Sequence, residues 1–309
     1  MLERWKIQQL VLVLLLMSAA GARAELVQDA SNFIKDFDRL VALRATISGD
    51  RDTLAADLES EKLRADVQRF FADRAEAVAV RFLKAADRKE MKLDLNFKGE
   101  KIAKPTKGTG DLTKDATSYI TNYDAWTTLW AQILVDVDQM RTAVAANDTA
   151  TLTTVCTDFF TSHRSRLEKR LQWQADIHAM KKDTSFKGTG KAQPPPATSL
   201  KDDVSEFLAD RASWETLEAQ LDTDRNNLRA AITVPDSLSA TVTTFLTDRR
   251  AHRLKTLELS LDRKQMRKDV NLSAGSKEDK PDSEASSKDI NNDDPDDALE
   301  GSADTAGDK

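Results

Sequence analysis

An internal repeat limits what this chain can fold into more than any other feature. Asp29-Ala-Ser-Asn-Phe33-Ile matches Asp115-Ala-Thr-Ser-Tyr119-Ile and Asp203-Val-Ser-Glu-Phe207-Leu. Phe70-Phe71 then matches Phe159-Phe160 and Phe245-Leu246, and Met91-Lys92-Leu-Asp94 matches Met180-Lys181-Lys-Asp183 and Met266-Arg267-Lys-Asp269. The first two copies also end alike, at Phe97-Lys98-Gly99 and Phe186-Lys187-Gly188. The period is 86 to 89 residues, and its variation falls between Leu58 and Leu63, Val144 and Leu152, and Ile232 and Leu238, where a turn is expected. A fixed period of this kind implies like units stacked on their neighbours.

Each unit reads as a helical hairpin. Tyr119, Tyr123, Trp126, Trp130, Ile133, Val137, Met140 and Val144 alternate spacings of four and three, the seam of a coiled-coil-like helix. The first copy keeps Phe33, Phe37, Leu40, Ile47, Leu54 and Leu58 but places Arg44 and Arg51 in the seam. The third keeps Phe207, Trp214, Leu221, Leu228 and Ile232, interrupted by Arg211, Glu218 and Arg225. The middle hairpin therefore has the driest face and is expected at the centre of any packed assembly. Second arms over about 62–94, 151–183 and 238–270 carry broader apolar stripes. Asp148 or Thr149, and Asp236 or Ser237, offer N-cap chemistry for the second and third of them. The expected fold is all-α: three tandem hairpins, six helices in coiled-coil-like or bundle packing.

Charge divides between the arms. First arms over 29–58, 111–148 and 201–236 net −2, −4 and −5; second arms over 61–94, 151–183 and 239–270 net +2, +2 and +4. Opposite charge favours antiparallel pairing within a unit, although exposed pairs contribute only about 0–1 kcal/mol each. Asp50, Asp136 and Asp224 share one repeat position, and the position expected to face them beyond the turn is Arg74, His163 and Arg249.

The ends read differently. Residues 1–24 have the grammar of a secretory signal peptide: Arg4 and Lys6, then the apolar run Leu10–Met17, then Ala22-Arg23-Ala24. The run is short of the ~20 residues a membrane span needs. The expected product is exported, periplasmic or extracellular, and without a transmembrane segment. Residues 276–309 hold 12 acidic and 4 basic residues and almost no large apolar ones, the composition of a disordered acidic tail. Asp289, Asn291, Asp293, Asp297 and Glu300 echo a calcium loop, but Asp294 stands where its turn needs Gly, Pro295 follows, and the simpler reading is a solvated polyanion. The expected divisions are a signal peptide at 1–24, hairpins at 25–97, 112–186 and 200–275, linkers at 98–111 and 187–199, and the tail. Both linkers contain Lys-Gly-Thr-Gly, and the second adds Pro194–Pro196. They are longer than close packing demands, so the hairpins are either beads or packed units with slack loops; packing, within one chain or across a homodimer, is favoured because an isolated helix pair has little core.

No assembled chemistry emerges. One cysteine, Cys156, excludes an intramolecular disulfide framework, and it reads as a buried small hydrophobe. His163, His178 and His252 are not repeat equivalents, and Met91, Met180 and Met266 lie too far apart for a soft-metal cluster. No cofactor motif, nucleophile elbow or phosphate-cradling loop occurs, and a formal charge of −6 argues against a nucleic-acid binder. The expected function is that of an exported, non-enzymatic interaction scaffold or spacer. Its partner would be a protein, an anionic glycan or an anionic surface, met by the basic faces of the second arms at Arg164, Arg166, Arg170, Arg250 and Arg253. The rival is a chaperone-like or lipid-associating amphipathic protein of the cell envelope, disfavoured by the seam arginines.

Overall fold

The computed structural model describes residues 2–99, 101–193 and 199–272, with side chains from Glu25 onward. The side chains of the signal-like segment, Pro194–Pro196, and the acidic tail with its calcium-like spacing lie outside the described residues. Six helices follow in order: α1 Leu2–Ala56, α2 Leu63–Asp94, α3 Leu112–Ala145, α4 Thr149–Asp183, α5 Leu200–Ala231 and α6 Pro235–Asp269. They pair as three hairpins, α1 with α2, α3 with α4 and α5 with α6, and no strand occurs among the described residues. At ~1.5 Å per residue, α2 to α6 are each about 50 Å long.

Local chemistry explains where helices start and stop. The carboxylate of Asp111 accepts the amides of Thr113 and Lys114 and opens α3. Asp148, as the sequence suggests, opens α4 by accepting the Thr151 amide at 3.0 Å. Ser199 and Asp202 form a reciprocal capping box at the start of α5. Neither Asp236 nor Ser237 caps α6: Pro235 takes the first helical position, where a missing N–H costs nothing, and Val234 precedes it without a side-chain cap. All three second arms close identically. Asn96, Ser185 and Asn271 are repeat equivalents with φ of 47, 51 and 60°, and the following amides of Phe97, Phe186 and Leu272 reach back to Lys92, Lys181 and Arg267. This left-handed cap seats an apolar residue just past each helix.

Packing divides the described residues into two compact units that cut across the hairpins: those within 1–40, 80–102 and 127–166 form one, and those within 41–79, 103–126 and 167–309 the other. In the first unit the open end of hairpin 1 meets the turn end of hairpin 2. Leu26, Ala30, Phe33 and Met91 pack with Ile133, Val137, Met140, Leu152, Phe159 and Phe160, and the rings of Phe33 and Phe159 are 5.3 Å apart. In the second unit the open end of hairpin 2 meets the turn end of hairpin 3 in the same way, with Tyr119 and Phe245 5.1 Å apart. That unit also places the open end of hairpin 3 against the turn end of hairpin 1: Phe207 lies 5.6 Å from Phe70, Arg267 lies 4.8 Å over the Phe71 ring, and Lys201 pairs with Glu59. Phe33, Tyr119 and Phe207 are repeat equivalents, as are Phe70, Phe159 and Phe245, so one contact is made three times. Hairpin 2 contributes to both apolar clusters, in keeping with its dry seam.

This stagger explains the linkers. Hairpin 1 ends beside Phe160 of α4, and the chain then follows α4 toward its C-terminal end before α3 begins. Residues 101–111 do so as a strap: Ala103 and Thr106 amides donate to Glu168 and Gln172 of α4. The second linker lies on α6, with the Gln193 amide donating to Glu258, the repeat equivalent of Gln172. The packing is therefore close and the loops are not slack. Gly108 is pressed so tightly on α4 that a Cβ there would lie 2.3 Å from the Ala179 Cβ. Among the described residues, no helix is long and apolar enough to cross a membrane.

Candidate functional site

The five arginines of the basic stripe have unequal fates. Arg164 and Arg250 are repeat equivalents that hold the straps: a Cβ on Gly99 would sit 2.8 Å from Arg164 Nη1, and Arg250 Nη2 donates to the Gly190 carbonyl at 2.8 Å. Arg166 is buried with its guanidinium 4.4 Å from the Trp130 ring, a contact of about 0.5–2 kcal/mol. Arg170 is partly buried and engaged. Arg253 is exposed. The stripe is thus not one free surface, since straps and packed rings take much of it.

A different set of cations comes together in the second unit. Lys181, at the end of α4, lies near Arg249, Arg250 and Arg253 of α6. Partial burial, then these three positive neighbours, holds its ammonium below the usual lysine range. Burial likewise lowers the Arg249 guanidinium, with Arg253 and Arg225 adding to the effect while Tyr119 opposes it. Aromatic rings wall this side. Tyr119 and Tyr123 are 6.0 Å apart, Tyr123 and Trp126 5.7 Å, and Trp126 and Trp173 6.3 Å. Arg225 lies 4.2 Å over Tyr123, and Arg249 5.8 Å over Trp173. Like charges held together in a partly desolvated place repel one another, and a bound anion would relieve that repulsion. Sequence reasoning treated Lys181 as a neighbour of Met180 and gave Arg249 to Asp224. The available signal was that both occupy repeat positions filled only by Lys, Arg or His.

Two of the inter-arm pairs, those of Asp50 and Asp224, are out of register by one residue. Asp50 is bonded by Arg69 Nε at 3.1 Å and faces Asp73, not Arg74. Asp224 accepts from Gln220 at 3.1 Å and faces Asp248, while Arg249 turns to Trp173 of hairpin 2. Asp136 accepts from Gln132 at 2.8 Å. Arg74 lies over its own helix's Phe70, and His163 lies edge-on to Phe159. One residue along a helix is a rotation of about 100°, enough to carry a side chain off the seam. The charges that interrupt the third seam do find neighbours: His252 Nε2 lies 2.8 Å from Glu218, and Arg211 pairs with Glu215 at 2.6 Å.

Cys156 is fully buried, and burial pushes its thiol up to about 12. The native chain should therefore resist alkylation near pH 8 at least ~100-fold better than the unfolded chain, as a mass shift read before and after denaturation would show. Met91, Met180 and Met266 are fully buried at the helix ends. Among the described residues, no three His, Cys, Asp or Glu side chains come together as a metal-ligand set. No family model matches the chain, nor does any curated protein or solved structure.

Proposed function

We propose that this is an exported, non-enzymatic scaffold that engages an anionic partner through the cation cluster of Lys181, Arg249, Arg250 and Arg253. The observation that carries the reading is that the charges perturbing Lys181 are all positive, in a place where packing already lowers its charged form. Export rests on the n-region, apolar run and Ala-x-Ala pattern of the first 24 residues. A scaffold reading fits long, stiff hairpins locked by the same aromatic contact three times over. The anion could be a sulfated glycan or a headgroup surface; both are recognised by clustered positive charge.

The test uses the chain lacking its signal segment, a sulfated glycosaminoglycan, and vesicles with and without anionic lipid. Binding should weaken steeply with salt, as interactions between exposed charges do. Lys181→Glu and Arg253→Glu should each lower affinity about tenfold or more, with Lys264→Glu, elsewhere on α6, as the control. Equal, salt-insensitive binding to neutral vesicles would replace this reading with the amphipathic, chaperone-like one.

A further inference from the structure

We infer that the inter-arm seams of hairpins 1 and 3 are proton-operated: aspartates that face each other across the seam share one proton, so each seam closes more firmly in mildly acidic surroundings than at neutral pH.

The arrangement is heptad-spaced. In hairpin 1, Asp29 meets Asp94 and, one heptad along, Asp36 meets Asp87. Hairpin 3 repeats this with Asp203 meeting Asp269 and Asp210 meeting Asp262. The middle hairpin keeps the outer pair, Asp115 with Asp183, and supplies an internal control at the inner one. At the position of Asp36 and Asp210 it has Asn122, whose Nδ2 donates to Asp176 Oδ2 at 3.2 Å. In hairpin 2 the pair is thus completed by one hydrogen; in hairpin 1 Asp36 and Asp87 are hydrogen-bonding neighbours, and in hairpin 3 Asp262 feels the charge of Asp210. Where both members are carboxyl groups, the hydrogen must come from protonation of one of them. Asp87 and Asp262 each accordingly have a buried Oδ2 that no donor reaches.

The surrounding charges act in the same sense. Burial, then Asp36 and Asp29, pushes Asp87 up to about 6. Burial, with Asp29, Glu25 and Glu90, does the same to Asp94, also to about 6. Lys84 and Arg141 lie 5.9 and 6.0 Å over the Phe37 ring, and Arg141 pairs with Asp38. In hairpin 3 burial, Asp210, Glu206 and Glu258 push Asp262 up to about 7 against the opposing charge of Arg263. Burial and Asp203 push Asp269 up to about 6 against Arg64 and Gln265. Lys255 donates to Asp210 at 2.7 Å, as its equivalent Lys169 donates to Asn122 at 3.2 Å. An amide at position 210 would therefore retain that partner.

The sign follows from linkage. The folded chain holds these protons up to about pH 6 to 7, whereas the unfolded chain releases them in the ordinary aspartate range. Their contribution to stability is then greatest in acid and is lost as pH rises through 6 to 7. A carboxyl group at about 6 raises the folding equilibrium constant about tenfold between pH 7 and pH 5.

Urea midpoints of the full chain at pH 7.5, 6 and 5, with potentiometric counting of protons taken up on refolding, test this. The wild type should gain stability toward pH 5 and take up protons at pH 6. Asp36→Asn and Asp210→Asn, which recreate the Asn122 arrangement, should each reduce the pH-dependent gain and raise the midpoint at pH 7.5. The three histidines are common to all these chains and cancel in the comparison. A flat or falling wild-type midpoint, no proton uptake at pH 6, or variants with the full pH response would overturn the inference. The two variants lie in different hairpins and either one completes the comparison with the wild type, so one that failed to fold would not remove the test.

Discussion

Alanine at Phe245 should destabilise the chain by about 3–5 kcal/mol, the usual loss for a fully buried phenyl ring, read as a fall in urea midpoint with an unchanged slope. Phe245 has no exposed surface and lies in the cluster formed by the open end of hairpin 2 and the turn end of hairpin 3. Its ring is 5.1 Å from that of Tyr119, 126 residues away in sequence. Thr247, exposed on the same helix, should change stability by less than ~0.5 kcal/mol when replaced by Ala. The decisive comparison is the double variant with Tyr119→Ala. Packed aromatic neighbours should couple by about 0.5–1.5 kcal/mol, whereas hairpins joined only by their linker would show simple additivity.

A still larger disruption is expected from deleting Ile102–Lys107. The strap follows α4 from Arg164, beside Gly99, to Ala179, beside Gly108. Those fifteen residues of helix span about 22 Å. Nine strap intervals can extend to about 30 Å, but three reach only about 10 Å. The shortened chain cannot keep both the open end of hairpin 1 on the turn of hairpin 2 and the start of α3 in place. The Phe33–Phe159 and Phe97–Phe160 contacts should then be lost, at a cost of at least ~3 kcal/mol. Exchanging the same residues for a flexible segment of equal length should cost much less, because reach is kept. Denaturation midpoints of the two variants side by side would check this, and equal stability would mean that the strap is slack after all.

The hairpin architecture was legible because its signals are local. Spacings of three and four in the Tyr119–Val144 seam require a buried helical stripe, and the threefold recurrence of Phe70-Phe71 and Met91-Lys92 marks equivalent places in equivalent units. Cys156 and the three methionines are buried where their apolar neighbours put them. The pairing of Asp50 with Arg74 failed for a reason of scale: opposite charge attracts across several ångströms and several registers, so it cannot distinguish positions 73 and 74. Charge counting also could not separate Arg253, which is exposed, from Arg166, which stacks on Trp130, because both belong to the same basic stripe.

Periodicity and turn chemistry by themselves determined the six helices, their pairing into three hairpins, and the residues each hairpin must bury, since all of these depend on neighbours within a few turns of one another. Only the tertiary structure decided that each turn end seats on another hairpin's open end, that the linkers are straps, and that Lys181 meets Arg249 and Arg253. An amphipathic stripe states how much apolar surface must leave water, and burial is non-directional. Phe33, Tyr119 and Phe207 present nearly the same surface, so their partners were chosen by shape and by the reach of the chain between them.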